Sequence, residues 1–486
     1  MVSESQQFHC ADGKIFTSLL DLYVQSPDLS DQAFEHHVTP EKNDFSRWVR
    51  DVFFDNAFAD KLQSAKTKTA FLKVIKESIR LPILVFNAGS SSVKFRLFFY
   101  PQKTTIIKGK VEAIALPRCS FEFSIGKINA SLPVHINNHD EAVALILQTL
   151  TEHKIIRTKD EIVAVGHRVV HGGEYYHKAT SITEEVIKRI EELAVLAPLH
   201  NPANLAGIYA VGKEMPSAHS IAVFDTAFHS TIPTEAFLYG LPYELYEKFK
   251  IRKYGFHGIN HEYLAGKAEE LLGVTGKARA GVKPKTRTGH KIITCHLGNG
   301  SSITAIKNRK SIDTSMGFTP LDGLIMGTRS GELDPDIVLY LLKEGHYSVE
   351  ELEKILNNKS GLFGVSGFSA DFRDLREAAN LGNKKAKLAI EMLSYRVALF
   401  IGSYAAALDG VDAIVFSGGM GENAGDLRKN ILDRLTFLGL KVDAAKNKHN
   451  SAIISTPRSK IKLLVIPANE EQEIADETWA LLMKKP

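Results

Sequence analysis

Three glycine-rich segments, two arginines, a histidine pair and three acids are the residues of this chain whose types and spacing suit chemistry. The first segment is Asn87-Ala88-Gly89-Ser90-Ser91-Ser92-Val93-Lys94. Glycine lets the backbone approach a ligand closely, and successive N–H groups with serine hydroxyls form a nest for phosphate oxygens. Lys94 adds a positive charge just beyond the tip. Taken alone, the segment reads better as an ordinary glycine–serine hairpin turn. A second copy at Gly298-Asn299-Gly300-Ser301-Ser302 turns the balance toward phosphate binding. The Walker spacing G-x-x-x-x-G-K-[ST] is absent, so this is not a P-loop. The third segment, Gly418-Gly419-Met420-Gly421-Glu422-Asn423-Ala424, satisfies G-x-G-x-x-[GA], with Asp443 at the end of a later strand-like stretch. A dinucleotide site is one reading of it. Beside two phosphate tips, the nucleoside end of a single nucleotide is the better one.

Arg168, in Gly166-His167-Arg168-Val169-Val170-His171-Gly172-Gly173, and Arg329, in Met326-Gly327-Thr328-Arg329-Ser330-Gly331, each lie among glycines and apolar residues. Such settings suit bidentate capture of carboxylate or phosphate, with a surface ion pair as the competing account. His257 and His261 stand four apart, but H-E-x-x-H is missing and no third ligand suggests itself, which argues against zinc. Asp225 follows an apolar run, Ser220 to Phe224, where a functional carboxylate of an α/β protein commonly sits. Glu470 and Glu471 hold the equivalent place after LLVIPAN. Capping of a helix by Asn469, with acids in its first turn, explains those two almost as well.

The elements that must position these residues follow from patterning. ILVFNAGSSSVKFRLFFY (83–100) and KIITCHLGNGSSITAIKN (291–308) share one plan, strand, small-residue tip, strand, about two hundred residues apart. Two similarly built domains facing across a cleft are expected. After Pro82, strands alternate with helices, which indicates an α/β body. Residues 1–80 differ. Phe45, Trp48, Val49 and Val52 fall at helical spacing, and a second amphipathic stretch from about Ala70 to Ile79 is expected to stop at Pro82, so this part reads as a small helical module. The basic stretch 276–291 reads as a surface loop.

The 486 residues carry a net charge of +4 with 44% hydrophobic content, which excludes wholesale disorder and gives no reason to expect a nucleic-acid or membrane partner. Cys10, Cys119 and Cys295 are odd in number and far apart, pointing to a reducing compartment. The polar N-terminus and an apolar run of only Val397–Leu408 complete the expectation of a cytoplasmic protein.

Taken together, VFNAGSSSVKF, GHRVVHGG, APLHNPANLAGI, VFDTAFHSTIP, YGFHGINH, HLGNGSS, DTSMGFTPLDGLIMGTRSGELDP, GLFGVSGFSADFRDL, GGMGEN and IPANEE make residues 82–486 resemble the acetate kinase family over essentially its whole length. The resemblance implies a two-domain sugar-kinase/Hsp70/actin-like (ASKHA) α/β fold, ATP:acetate phosphotransfer, a homodimer, and Mg²⁺ with Mn²⁺ as a substitute. It divides the chain into 82–228, completed by about 472–486, and a nucleotide-binding part 229–471. By position, Asn87 and Glu470 resemble the family's magnesium residues. Ser90, Ser92, Lys94, His296, Leu297, Gly298, Asn299, Gly300, Asp371, Phe372, Arg373 and Gly419, Met420, Gly421, Glu422, Asn423 resemble its ATP contacts. Arg168 resembles the acetate ligand, with Val170, Leu199, Phe256 and Pro320 as the methyl pocket. Asp225, His257 and Arg329 resemble the catalytic group, acting on acetate and ATP in one direction and acetyl phosphate and ADP in the other. Departures are GINH at 258–261 in place of GTSH, SGG before MGEN in place of TAG, and the longer 276–291 loop. A propionate or butyrate kinase, a dehydrogenase built on 419–425, and a non-catalytic protein recruited through 1–80 are the alternatives. The segment 36–55 (HHVTPEKNDFSRWVRDVFFD) is similar to a helical module attached to other bacterial proteins.

Overall fold

The computed structural model describes residues 2–198, 200–273 and 290–484; most of the basic stretch 276–291 and Leu199 lie outside them. The N-terminal 80 residues form helices Leu19–Gln25, Asp31–His37, Asp44–Phe53, Asn56–Ser64 and Lys68–Ser78. Polar caps start them: Asn43 accepts from the Ser46 N–H and Thr67 from that of Ala70, satisfying donors that the first helical turn leaves unpaired. Phe45, Trp48 and Val49 are buried as their spacing requires, and with Phe16, Phe34 and Phe71 they make a separate aromatic core. A pair of two-residue strands, Phe8–His9 and Ile15–Phe16, is too short to show as alternation in sequence. Pro82 does not end the last helix. The chain turns extended at Ile79, and Pro82 is the second residue of a strand.

That strand, Leu81–Gly89, is central to an eight-stranded mixed sheet. The spatial order is Ile128–Pro133, Ser120–Ile125, Thr104–Glu112, Ser92–Tyr100, Leu81–Gly89, Ala164–Val169, His219–Phe224 and Thr180–Ser181. The apolar run Ile83–Phe86 is buried on both sides. Helices His139–Glu152 and Asn201–Glu214 pack on one face and helix Glu470–Leu482 on the other. The second sheet has five strands in the order Lys310–Thr314, Ser301–Lys307, Lys291–Leu297, Ala413–Ser417 and Lys462–Val465. Each sheet contains one of the two expected hairpins, paired in continuous antiparallel register. The run Val397–Leu408 belongs to helix Lys384–Ala407, whose face Ala386, Ala389, Leu393, Val397 and Ile401 is buried against the second sheet. Among the described residues it is the one helix long and apolar enough to cross a membrane.

The N-terminal module is joined to the body by an aromatic contact. Tyr23 packs on Trp479 at 5.3 Å between ring centroids, and Trp479 packs on Tyr100 at 5.2 Å. Tyr23→Ala removes one ring from this stack. Ring–ring contacts are worth about 0.5–1.5 kcal/mol beyond their buried area, so calorimetry should show a thermal midpoint lowered by about 1 °C if the chain unfolds as one unit, and by more for a separate transition of the small module.

Candidate active site

The strands Ala164–Val169 and His219–Phe224 run parallel and in register, so Arg168, near the end of one, and Asp225, just past the end of the other, meet at the sheet's edge. One guanidinium nitrogen of Arg168 donates to Asp225 Oδ2 at 2.9 Å, and another reaches Asn87 Oδ1 at 3.4 Å. Its Nε is buried with no hydrogen-bond partner, 3.7 Å from Glu470. Asp225 Oδ2 also accepts the backbone N–H of His257 at 2.9 Å, while Oδ1 is buried and unpartnered. The backbone makes this possible. His257 is left-handed at φ 57°, an uncommon conformation for a residue with a side chain. Gly258 then brings its N–H within 2.9 Å of the Asp225 carbonyl, where a Cβ would sit 2.3 Å from that oxygen.

The His257 ring is fixed on two sides. Its Nδ1 is 2.9 Å from Ser302 Oγ, and its face stacks on His296 at 4.4 Å. Ser302 is shared with His261 Nε2 at 2.7 Å, and His261 Nδ1 meets Thr294 Oγ1 at 2.7 Å. His261 is therefore occupied in the core and no metal ligand. Asn260, in the divergent GINH, bonds His296 Nδ1 at 2.7 Å. Burial, aided by His296, His261, Arg168 and Arg329, holds His257 well below the ordinary imidazole range, so at neutral pH it is a neutral hydrogen-bonding group. Arg329 lies beyond Gly300, near the Pro320 carbonyl at 3.5 Å and Met326 Sδ at 3.9 Å. Among the described residues no carboxylate pairs with it, and desolvation lowers its pKa.

Two residues beyond Arg168, Val170 joins Phe256, Met316 and Met326 in a small apolar cluster, whose Met326 Sδ meets Arg329. Val170 and Phe256 were expected there. Pro320 contributes its carbonyl beside Arg329, and Leu199 lies outside the described residues. The methionines were not anticipated, although both stand in the quoted segments DTSMGF and LIMGTR. Nor were Asn201 and Asn204, whose side chains pin the backbone of His171 and Val170 at 3.1 and 3.0 Å.

The second tip is close to this group: a Cβ on Gly300 would stand 3.4 Å from the His257 ring and 3.6 Å from Arg329. Asn299 accepts from Gly327 N–H through its carbonyl. The third segment follows the strand paired with His296, and Glu422 Oε1 accepts from both Gly418 and Ala468 N–H at 2.9 Å. Glu422 therefore ties that segment to the start of the Glu470 helix. At the first tip, Ser90 is exposed, Ser92 half-buried and Lys94 exposed. The expected capping by Asn469 is overturned, and the other residues are placed as follows. Leu297 and Phe372 are core side chains and offer only backbone. Asp371 and Arg373 pair with each other at 2.6 Å on the surface. Asn469 does not cap its helix with its side chain, which instead accepts from Arg96 at 2.6 Å. Asp443, the acid of the dinucleotide reading, caps the helix Ala444–Lys448.

The family model described as the Acetokinase family matches residues 82–476. The chain belongs to the acetokinase family. It is 50% identical over 410 residues to the acetate kinase of Carboxydothermus hydrogenoformans, covering 83% of this chain and all of that one. It is 48% identical over 409 residues to the acetate kinase of Thermotoga maritima, covering 83% and 99%. The structure is similar to that of Porphyromonas gingivalis acetate kinase at TM-score 0.76 with 41% identity, covering 82% and 99%. A Francisella tularensis propionate kinase matches at TM-score 0.76 and 42%, with the same coverage. The fold of this acetokinase is thus the two-sheet α/β kinase fold, with the N-terminal module outside the family match.

Away from the cleft, Glu262, Glu473 and Glu477 bring carboxylate oxygens within 4.8 Å of one another between two helices. Arg309 faces Glu262 and Glu473, while Asp476 and Lys103 act on Glu473. Burial pushes Glu473 and Glu477 up to about 8 from 4.5. Between these values the folded chain holds protons that the unfolded chain has released, so stability falls as pH rises toward 8. Buried His229 and His296, held near 4 against 6.5, act oppositely and cost stability as pH falls below 6.5. The thermal midpoint should therefore decline from about pH 6.5 to 8.5, and the pair Glu473→Gln and Glu477→Gln should flatten that decline.

Proposed function

We propose that the cleft transfers the γ-phosphoryl group of ATP reversibly to the carboxylate of acetate, giving acetyl phosphate and ADP. The observation that carries this is the apolar Val170–Phe256–Met316–Met326 cluster beside Arg329, which no carboxylate pairs among the described residues, together with Arg168 and its Nε without a hydrogen-bond partner. A short acid fits such a site by its two ends, methyl in the cluster and carboxylate on guanidinium. The half-identity to acetate kinases favours acetate. Propionate remains the nearest competitor, since one methylene discriminates by only ~1–3 kcal/mol.

Acetate is ionised at neutral pH and needs no general base. Catalysis then reduces to aligning the carboxylate with phosphorus and neutralising charge on the transferring group. Arg168 holds the acid. Arg329 and neutral His257, whose Nδ1 is engaged by Ser302, serve the phosphoryl oxygens. The tips at 89–92 and 298–300 offer backbone N–H groups to the phosphates, and the 419–423 segment serves the nucleoside. Asp225 orients rather than abstracts. The buried, unpartnered Asp225 Oδ1, with Asn87 Oδ1 and the Glu470 carboxylate, is an all-oxygen donor set suited to Mg²⁺. When bound, Mg²⁺ supplies positive charge to the phosphates.

The same reading makes residues 82–228 with 472–486 one lobe and 229–471 the other, places the protein in the cytoplasm, and makes it a homodimer. The dimer is supported by an exposed stripe, Leu388, Met392, Tyr395 and Leu399, spaced along one face of helix Lys384–Ala407. Tyr395→Asp should yield monomers by sedimentation; an unchanged dimer would remove that face from the interface.

Initial rates with Mg-ATP, trapping acyl phosphate with hydroxylamine, should rank acetate above propionate and butyrate. Arg168→Ala and Arg329→Ala should each lower kcat/KM by ~10²–10³. No acyl phosphate from any of the three acids would overturn the assignment. An Asp225→Asn enzyme with normal magnesium response and near-normal turnover would overturn the role given to Asp225.

A further inference from the structure

Helix Glu470–Leu482 covers the central strands of the eight-stranded sheet but leaves the same face of its outer strands open. Strand alternation brings Lys94 and Arg96, then Lys108 and Lys110, then Glu122 and Ser124, then Asn129 and Ser131 onto that face, around a concavity of about 450 Å³. The register sets like charges directly opposite: Lys94 pairs with Lys110 and Arg96 with Lys108. Such pairs are destabilising in a sheet, and here two occur side by side. Three acids stand against these four cations, and all three pair with Lys110 or Arg96. Lys110 reaches Glu112 at 2.6 Å and Glu122 at 3.3 Å, and Arg96 reaches Glu471 at 3.4 Å. Lys94 and Lys108 have no carboxylate within ion-pair distance among the described residues, and both are exposed.

We propose that this open face is a second anion site, distinct from the nucleotide cleft, which takes a small polyphosphate carrying at least two phosphate groups. Neighbouring strands stand about 4.8 Å apart and alternate residues about 6.7 Å apart, so the four cations mark a small rectangle. A linked pair of phosphates lets each group meet one cross-strand pair of cations, Lys94 with Lys110 and Arg96 with Lys108, and its greater charge favours it over a single tetrahedral anion. The concavity has the volume of a small-molecule site, with Ser124, Ser131 and Asn129 as further donors and Glu122 beside them. Its size and walls favour a compact polyanion over a nucleic acid, which requires an extended basic track. Arg96 also connects the face to the cleft: it holds Asn469 and Glu471, on either side of Glu470. Lys94 stands at the boundary of the two sites, so Lys108 and Lys110 are the residues that belong to this one alone.

The test is calorimetric titration of the full-length protein with inorganic pyrophosphate, under saturating ADP without divalent ions so that the nucleotide cleft is filled. One equivalent should bind. The change Lys108→Gln should weaken binding several-fold, and Lys108→Gln with Lys110→Gln by roughly tenfold or more, while both variants phosphorylate acetate within about twofold of the parent, a twofold change being under 0.5 kcal/mol. Sodium sulfate at equal ionic strength should leave most of the binding in place. Absence of binding once ADP is saturating, equal binding by the double variant, or complete loss in sulfate would each overturn the proposal.

Discussion

The Asp225 carboxylate is the point on which the site depends. One of its oxygens is shared between the Arg168 guanidinium, from the neighbouring strand, and the backbone N–H of His257, which begins the helix Gly258–Leu271. Its main-chain carbonyl takes the next N–H, that of Gly258. A single residue at a strand end therefore orients the guanidinium on one side and starts the helix on the other. The left-handed His257 is the local cost of that arrangement, of order 1–3 kcal/mol for a strained residue. Charge-assisted bonds to a buried carboxylate are strong enough to offset it. Because the backbone is held there, the imidazole can be aimed by side chains alone, through Ser302 and the His296 stack.

Burial does the electrostatic preparation. His257, His261, His296 and His229 are all desolvated and held below the ordinary imidazole range. The positive charge of the cleft is thereby concentrated on two guanidinium groups rather than spread over protonated rings. A low-dielectric surrounding strengthens their interaction with an incoming carboxylate or phosphoryl group. The two are not equivalent. Arg168 is anchored by Asp225 and Glu470, which fixes its orientation, whereas Arg329 is held by a carbonyl and a thioether and retains its full charge for a ligand. That asymmetry suits one group that positions and another that meets charge as it develops.

The parts legible in the sequence were those where residue type alone dictates local geometry. Glycine–serine tips, apolar runs before Asp225 and Glu470, and helical spacing around Trp48 all fall in this class, and the two hairpins stand where the echo placed them. What was not legible depends on convergence. Met316 and Met326 reach the pocket from a loop that sequence spacing does not fold, and methionine, flexible and unbranched, gives no periodic signal. Ser302 was read as part of a phosphate nest, yet its hydroxyl is buried between two histidines. Asn469 looked like a helix cap because nothing local revealed Arg96 as its partner. Phe372 matched a binding segment while its side chain served the core.

The C-terminal helix Glu470–Leu482 shows how such convergence can join distant parts of the chain. Its first residue faces Arg168, its middle carries Glu473 and Glu477 against Glu262, and Trp479 lies between Tyr23 of the N-terminal module and Tyr100 of the sheet. The module is outside the family match and has its own aromatic core, so it folds around different residues from those that build the cleft. Its stacking on this helix gives it a mechanical link to the end that presents Glu470. A helix of thirteen residues transmits a tilt rather than a local distortion, because its backbone bonds resist bending and its buried face is packed. The three contacts on that rod differ in kind: an ion pair, a carboxyl cluster and an aromatic stack. The module and the cleft thus meet on one helix, at Trp479 near its end and at Glu470 at its start.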